Sequence, residues 1–193
     1  MLSKFHLLLI WGMTAALPVA AGCRQSGLQP DDPSRSSNLV ENGSFEEDGQ
    51  PTLEGWRVPS PELASLVEEA PSGGGHWSLK LEADWAPTMG YVSAVIPGVQ
   101  TGDILRLSAQ ARATSSTGGA VIGIVVGTDV DPDGRRSARF ASTTGLNWTT
   151  LTVEETVSVG EGEAVWVLLS SPNTEVSASS GLFDLITVER LSQ

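Results

Sequence analysis

The stretch Asn38-Leu39-Val40-Glu41-Asn42-Gly43-Ser44-Phe45-Glu46-Glu47, followed downstream by Gly55-Trp56, decides the reading of the fold. It predicts a short apolar strand, a tight turn at Asn42-Gly43, and a buried aromatic, Phe45, beside an acidic residue. Asn-Gly suits such a turn because both residues tolerate positive φ.

The rest of the chain continues this β-type pattern from residue 38 onward. Residues 104–113 alternate: Leu105, Leu107, Ala109, Ala111 and Ala113 face one way, Arg106, Ser108, Gln110 and Arg112 the other. Residues 77–83 and 149–157 alternate in the same manner, as expected of antiparallel strands with one wet and one dry face. Residues 120–126, 164–169 and, less completely, 182–188 are apolar on both faces and predict central strands covered on both sides. Helical periodicity is absent, and residues 60–69 fit either a helical turn or a strand. About nine or ten strands at this spacing predict an all-β fold, a two-sheet antiparallel sandwich or jelly roll over residues 38–193.

The first 22 residues read as a secretory signal. Lys4 precedes an apolar run from Leu7 to Ala16, too short to span a bilayer comfortably, and small residues Val19-Ala20-Ala21-Gly22 lead into Cys23. Cys23 is the only cysteine, so no intramolecular disulfide forms. Its setting resembles the lipobox of bacterial lipoproteins, with Ala20 where that pattern usually carries Leu. The resemblance implies a lipidated thiol and a peripheral, membrane-anchored protein, periplasmic or at the cell surface. Ordinary cleavage that leaves a spare thiol is the other reading. Residues 23–37 are polar, hold two prolines and read as a disordered tether. Such a tether spans about 20 Å.

The formal charge is −12, and −13 once residues 1–22, which hold one lysine and no acid, are removed. A surface this acidic argues against nucleic acid as a partner.

Taken together, residues 38–46 with Gly55-Trp56 resemble the opening of CenC-like carbohydrate-binding modules. Further matches follow in the family's order: Gly75-His76-Trp77-Ser78-Leu79-Lys80-Leu81, residues 101–109, Asn147-Trp148-Thr149-Thr150-Leu151, and residues 182–188. In the third of these, Leu105 stands where the family usually has an aromatic. The resemblance implies a galactose-binding-like jelly roll that binds polysaccharide without catalysis. It also implies a structural calcium: Glu46 and Asp184 lie on first and last strands that are neighbours in such a fold, and two converging carboxylates repel unless a cation lies between them. The alternative is that each caps a turn or accepts backbone N–H bonds. Asp184-Leu185 departs from the family, where a second acid or Asn often follows the aspartate.

Sugar modules stack pyranose faces on aromatic rings, with polar neighbours bonding the hydroxyls. Trp85 and Tyr91 flank an Ala-Pro-Thr-Met-Gly loop and form the expected exposed pair, and Trp166 could line a cleft from its strand. Gln110 and Arg112, on the polar face of their strand, are the candidate hydroxyl partners; a merely solvated face is the plainer reading. Trp56 and Trp148 are expected in the core. Asp129-Val130-Asp131-Pro132-Asp133-Gly134 begins like a calcium loop, but Phe140 stands at the twelfth position where a glutamate is needed, so a turn is expected. His76 is the only histidine after the signal, with no nucleophile constellation around it, so no enzyme is expected. The sequence predicts a carbohydrate-binding lipoprotein; the alternative is a structural or adhesive surface module that binds protein rather than sugar.

Overall fold

A computed structural model describes residues 38–83, 90–131, 133–172 and 179–192. The strands in chain order are β1 (Glu46–Glu47), β2 (Gln50–Pro51), β3 (Ala64–Val67), β4 (Ser78–Ala83), β5 (Tyr91–Val95), β6 (Ile104–Ala113), β7 (Ala120–Gly127), β8 (Arg135–Thr143), β9 (Thr149–Thr156), β10 (Ala164–Ser170) and β11 (Ser179–Leu191). β1 and β2 form a small hairpin. The others make two antiparallel sheets, a four-stranded one in the order β5-β10-β7-β8 and a five-stranded one in the order β3-β4-β11-β6-β9.

Apolar alternation explains the layering. In β6 every second residue from Leu105 to Ala113 is buried, while Arg106 to Arg112 on the other face are only half-buried. Leu79, Leu81, Leu107, Phe183 and Val188 of the five-stranded sheet meet Val92, Ile122, Ile124, Val167 and Leu169 of the other in one continuous core. The three runs that are apolar on both faces became β7, β10 and β11, which occupy inner positions of their sheets, where neighbours on both sides satisfy the backbone. Residues 60–69 contain both candidate structures: a 3-10 turn over Pro61–Leu63 runs directly into β3.

The opening segment differs from its prediction. Residues 38–45 do not form a strand; they run in bends and turns, with positive φ at Asn42 and Phe45, and the first ladder is the β1–β2 hairpin. The segment nevertheless lies against the closing strand. Asn38 Nδ2 donates to Ile186 O (2.9 Å), Asn38 Oδ1 accepts from Val188 N (2.8 Å), and Gly43 O accepts from Ile186 N (2.8 Å). A side-chain amide thus takes over part of the backbone pairing, and positive φ breaks the extended path. Gly43 is required by this close approach, since a Cβ there would stand 2.0 Å from Ile186 O.

Phe45 is fully buried, its ring 5.3 Å from that of Trp56, whose Nε1 donates to Asn42 O (3.1 Å). Trp56 is therefore a core residue, as expected. Phe45→Ala should cost about 3–5 kcal/mol of unfolding free energy, measured by urea denaturation.

Candidate functional site

The outer face of the four-stranded sheet carries a second, smaller apolar cluster. Alternation in β7 and β10 sends Ile124, Val126, Val167 and Leu169 into the core and Val125, Trp166 and Leu168 outward. Trp166 sits between Val95 of β5 and Val125 of β7 in the ladder, with Tyr91 at the other end of β5. Farther out, Phe140 of β8 lies over Gly123, where an added Cβ would meet its ring at 2.3 Å, and it is 43% exposed.

This face is not open. The connection between β7 and β8 folds back across it and seats Val130 at 1% exposure against Val125, Leu168, Tyr91 and Trp166. Two polar contacts hold the connection. Arg57 Nη1 donates to both carboxylate oxygens of Asp129 (2.8 and 2.9 Å), and Tyr91 Oη donates to Asp131 Oδ1 (2.6 Å). Arg57 is positioned by paired backbone bonds with Ser93 of β5 (2.7 and 3.0 Å), so Gly55-Trp56-Arg57 turns its tryptophan inward and its arginine to the rim. The hydrogen bond from Arg57 holds the Asp129 carboxyl below its ordinary range. Burial first, then the bond to Asp131, push the Tyr91 hydroxyl up to about 12.

Magnitudes decide how firmly this connection is held. Burying Val130 contributes about 1.5–3 kcal/mol. The Arg57–Asp129 pair, with side chains 44% and 35% exposed, adds about 0.2–1 kcal/mol. Against them, the Ser93 hydroxyl, on the same outer face, is fully buried with no hydrogen-bond partner. An orphaned buried hydroxyl costs about 1–3 kcal/mol. The Tyr91–Asp131 bond, made to a charged group, adds about 1.5–3 kcal/mol, so the balance favours the closed connection by only a few kcal/mol.

The sequence-predicted ligand residues do not converge. Tyr91 and Trp166 share the outer face just described, whereas Gln110 and Arg112 lie on the outer face of the five-stranded sheet, across the core from them. There Gln110 Nε2 donates to Thr150 Oγ1 (2.8 Å), and Arg112 pairs with Glu69 while its guanidinium lies 5.6 Å from the centre of the Trp148 ring. Alternation had fixed that they point outward, but not from which sheet. Trp148 is correspondingly a half-buried surface residue under Arg112 rather than a core residue. Trp85 and Cys23 lie outside the described residues. Asp129 and Asp131 face a guanidinium and a phenol, and Asp131 O accepts from Gly134 N (3.0 Å), a turn contact. Arg57, Val130 and Ser93 were missed; Arg57 could have been found from its place next to the Gly55-Trp56 pair.

The carboxylates of Glu46 and Asp184 do meet at one place. Asp184 is fully buried; its Oδ1 accepts from Leu185 N (2.6 Å) and its Oδ2 has no partner. A bulge in β11 after Asp184, with Leu185 at φ 52°, sets this orientation. Glu46 Oε2 accepts from the backbone N–H groups of His76 and Trp77 (3.0 and 3.3 Å). The run Gly73-Gly74-Gly75 closes over both: a Cβ on Gly74 would stand 2.1 Å from Asp184 Oδ2, and one on Gly75 would stand 1.8 Å from Glu46 Oε1. Burial, and secondarily the Glu46 charge, push the Asp184 carboxyl up to about 7. Two carboxylates, one with a buried orphaned oxygen, beside a glycine loop fit a hard, oxygen-preferring cation. Among the described residues no group of three or more His, Cys, Asp or Glu side chains gathers to hold a metal, so further ligands would be backbone carbonyls or water.

A cleft of about 580 Å³ lies between the opening segment and β11. Among the described residues its charged lining is Glu41, Glu46, Glu47 and Glu54, and no aromatic ring lines it for stacking.

No protein-family model matches the sequence, and no curated protein sequence matches it. Solved structures do resemble it. A family 16 carbohydrate-binding module is 22% identical with a TM-score of 0.54, covering 78% of this chain and 99% of that one. A family 61 module in complex with β-1,4-galactotriose is 19% identical with a TM-score of 0.52, covering 80% and 99%. A xylan-binding CBM22-2 domain from Paenibacillus barcinonensis is 16% identical with a TM-score of 0.55, covering 76% and 96%. The chain has the β-sandwich fold of carbohydrate-binding modules.

Proposed function

We propose that this protein is a non-catalytic carbohydrate-binding module that takes polysaccharide on the outer face of its four-stranded sheet. The observation that carries the reading is the grouping of Tyr91 and Trp166 on that face with Arg57, Asp129 and Asp131 at its rim: rings for stacking beside groups that bond hydroxyls. The xylan-binding and galactotriose-bound modules of like fold support it. The net charge of −12 favours a neutral glycan over an acidic one. The adhesive alternative draws on Val95 and Phe140, large apolar side chains 47% and 43% exposed on β5 and β8 of the same sheet.

Isothermal titration with soluble xylan and β-1,4-galactotriose tests the reading. Trp166→Ala or Tyr91→Ala should weaken binding at least about tenfold, equivalent to about 1.4 kcal/mol. Gln110→Ala, on the opposite sheet, should leave it unchanged. Absence of binding to any of a wider panel of neutral glycans would favour the adhesive reading.

Glu46 and Asp184 would hold a structural Ca²⁺, which supplies the positive charge that a buried Asp184 carboxylate lacks. Without metal, the raised carboxyl of folded Asp184 binds protons more tightly than the unfolded chain does. Stability should therefore fall as pH rises from about 4 to about 7. Calcium should raise the melting temperature at pH 7, EGTA should reverse the gain, and Asp184→Asn should abolish both the response and the pH slope. A melting temperature indifferent to calcium would remove the metal from the proposal.

The protein is further read as an exported bacterial lipoprotein, tethered through residues 23–37 to a lipid on Cys23. Radioactive palmitate should label the chain in a bacterial host, and Cys23→Ala should lose the label. Label retained in that variant would defeat the anchor.

A further inference from the structure

We propose that residues 128–131 form a strap over the aromatic face, that a bound glycan displaces it, and that Val130 sets how firmly it closes. The inference rests on reading that face as the carbohydrate site and adds to it a gate.

Three observations make the strap a movable part rather than a wall. Its backbone hydrogen bonds close on its own base: Thr128 N and Asp129 N donate to Gly134 O, Gly134 N donates to Asp131 O, and Val130 O accepts from the Arg135 guanidinium. Lifting the strap about Gly127 and Gly134 therefore keeps the turn's own backbone bonds and gives up, of these, only the bond from Arg135 of β8, and a register shift already interrupts the ladder at Val126/Gly127.

Its polar clasps are made by groups that suit a sugar. The Arg57 guanidinium and Tyr91 hydroxyl hold the strap's two carboxylates, and both donate equally well to hydroxyls, so a glycan exchanges one set of bonds for another. The freed Asp129 carboxylate starts more than a third exposed and is readily solvated.

On the same outer face lies an unmet demand. The Ser93 hydroxyl, in ladder register with Leu168 on the outer face, is sealed from water with no partner. A closed state optimised for its own stability would satisfy that group or replace it with an apolar one. Opening the strap and admitting a polar ligand gives it a partner. The one apolar anchor is Val130, in a slot walled by Tyr91, Trp166, Val125 and Leu168, so it occupies the place in which a pyranose ring would stack. Strap and ligand compete for one surface, and the fraction of time the strap is open scales the apparent affinity.

The test uses the full chain carrying Cys23→Ser, so that a single introduced thiol reports. Val130→Cys places it on the strap and Val125→Cys in the sheet beneath. Each is reacted with a maleimide, with and without saturating xylan or β-1,4-galactotriose. Without sugar, the strap thiol should react at least about tenfold faster than the sheet thiol, because local opening precedes global unfolding. Sugar should accelerate the strap thiol further.

Val130→Ser, checked for an unchanged fold by circular dichroism, should tighten glycan binding about fivefold or more by lowering the population of the closed state. Equal labelling rates at the two positions without sugar, slower labelling of the strap when sugar is bound, or weaker binding by folded Val130→Ser would each overturn the strap. If neither these two glycans nor any of the wider panel binds, the carbohydrate reading fails, and the two sugar-free labelling rates alone decide whether the strap opens.

Discussion

The side-chain amide of Asn38 bridges the two ends of the chain, donating to Ile186 O and accepting from Val188 N across 148 and 150 residues of sequence. Backbone bonds at Leu39 and Gly43 extend the same seam. Such long-range closure carries a large entropic cost, which the burial of Phe45 and Trp56 immediately downstream offsets. Everything of functional interest is hung from this seam. It brings Glu46 to the glycine loop that also covers Asp184. It sends Trp56 into the core, and the next residue, Arg57, bonds through its backbone to Ser93 of the other sheet. One irregular segment thus touches both sheets and both candidate sites.

What the sequence made legible follows from the range of the forces involved. Alternation is local, so β6 could be read residue by residue, and runs apolar on both faces located the inner strands β7, β10 and β11. The opening motif revealed Phe45 as a core residue and Glu46 as half of an acidic pair. Sheet membership is not local. Gln110, Arg112, Tyr91 and Trp166 all point outward from their strands, yet pairing register puts the first two on one side of the sandwich and the last two on the other. The extended look of residues 38–41 misled for a related reason: Asn38 satisfies β11 with its side chain, and hydropathy cannot distinguish that from a ladder. The strap was least legible. Asp129-Val130-Asp131 has the composition of a turn, and only tertiary contact shows that its lone valine is buried.

Among the described residues four buried side-chain polar atoms lack hydrogen-bond partners: Asn42 Oδ1, Ser78 Oγ, Ser93 Oγ and Asp184 Oδ2. Asp184 Oδ2 lies beneath the glycine loop, and Ser93 Oγ lies on the outer face of the four-stranded sheet. The usual rule that buried polar groups are paired is thus broken at four points, and two of them, Asp184 and Ser93, belong to the candidate sites. On the readings proposed above, a partner from outside the chain would complete each of these two, a cation at Asp184 and a hydroxyl-rich ligand at Ser93.

β8 has a further consequence. It is an edge strand, largely exposed, and Arg135, Arg136 and Arg139 put three of the chain's 11 basic residues on it in a protein whose net charge is −12. An unpaired strand edge is a template for ladder growth between molecules. Arg136 and Arg139 are paired with Glu163 and Glu155, so the edge presents ion pairs to solvent, and charged side chains along an edge disfavour edge-to-edge pairing. The composition that hid β8 from hydrophobic patterning is the same composition that discourages a second molecule from adding to the sheet.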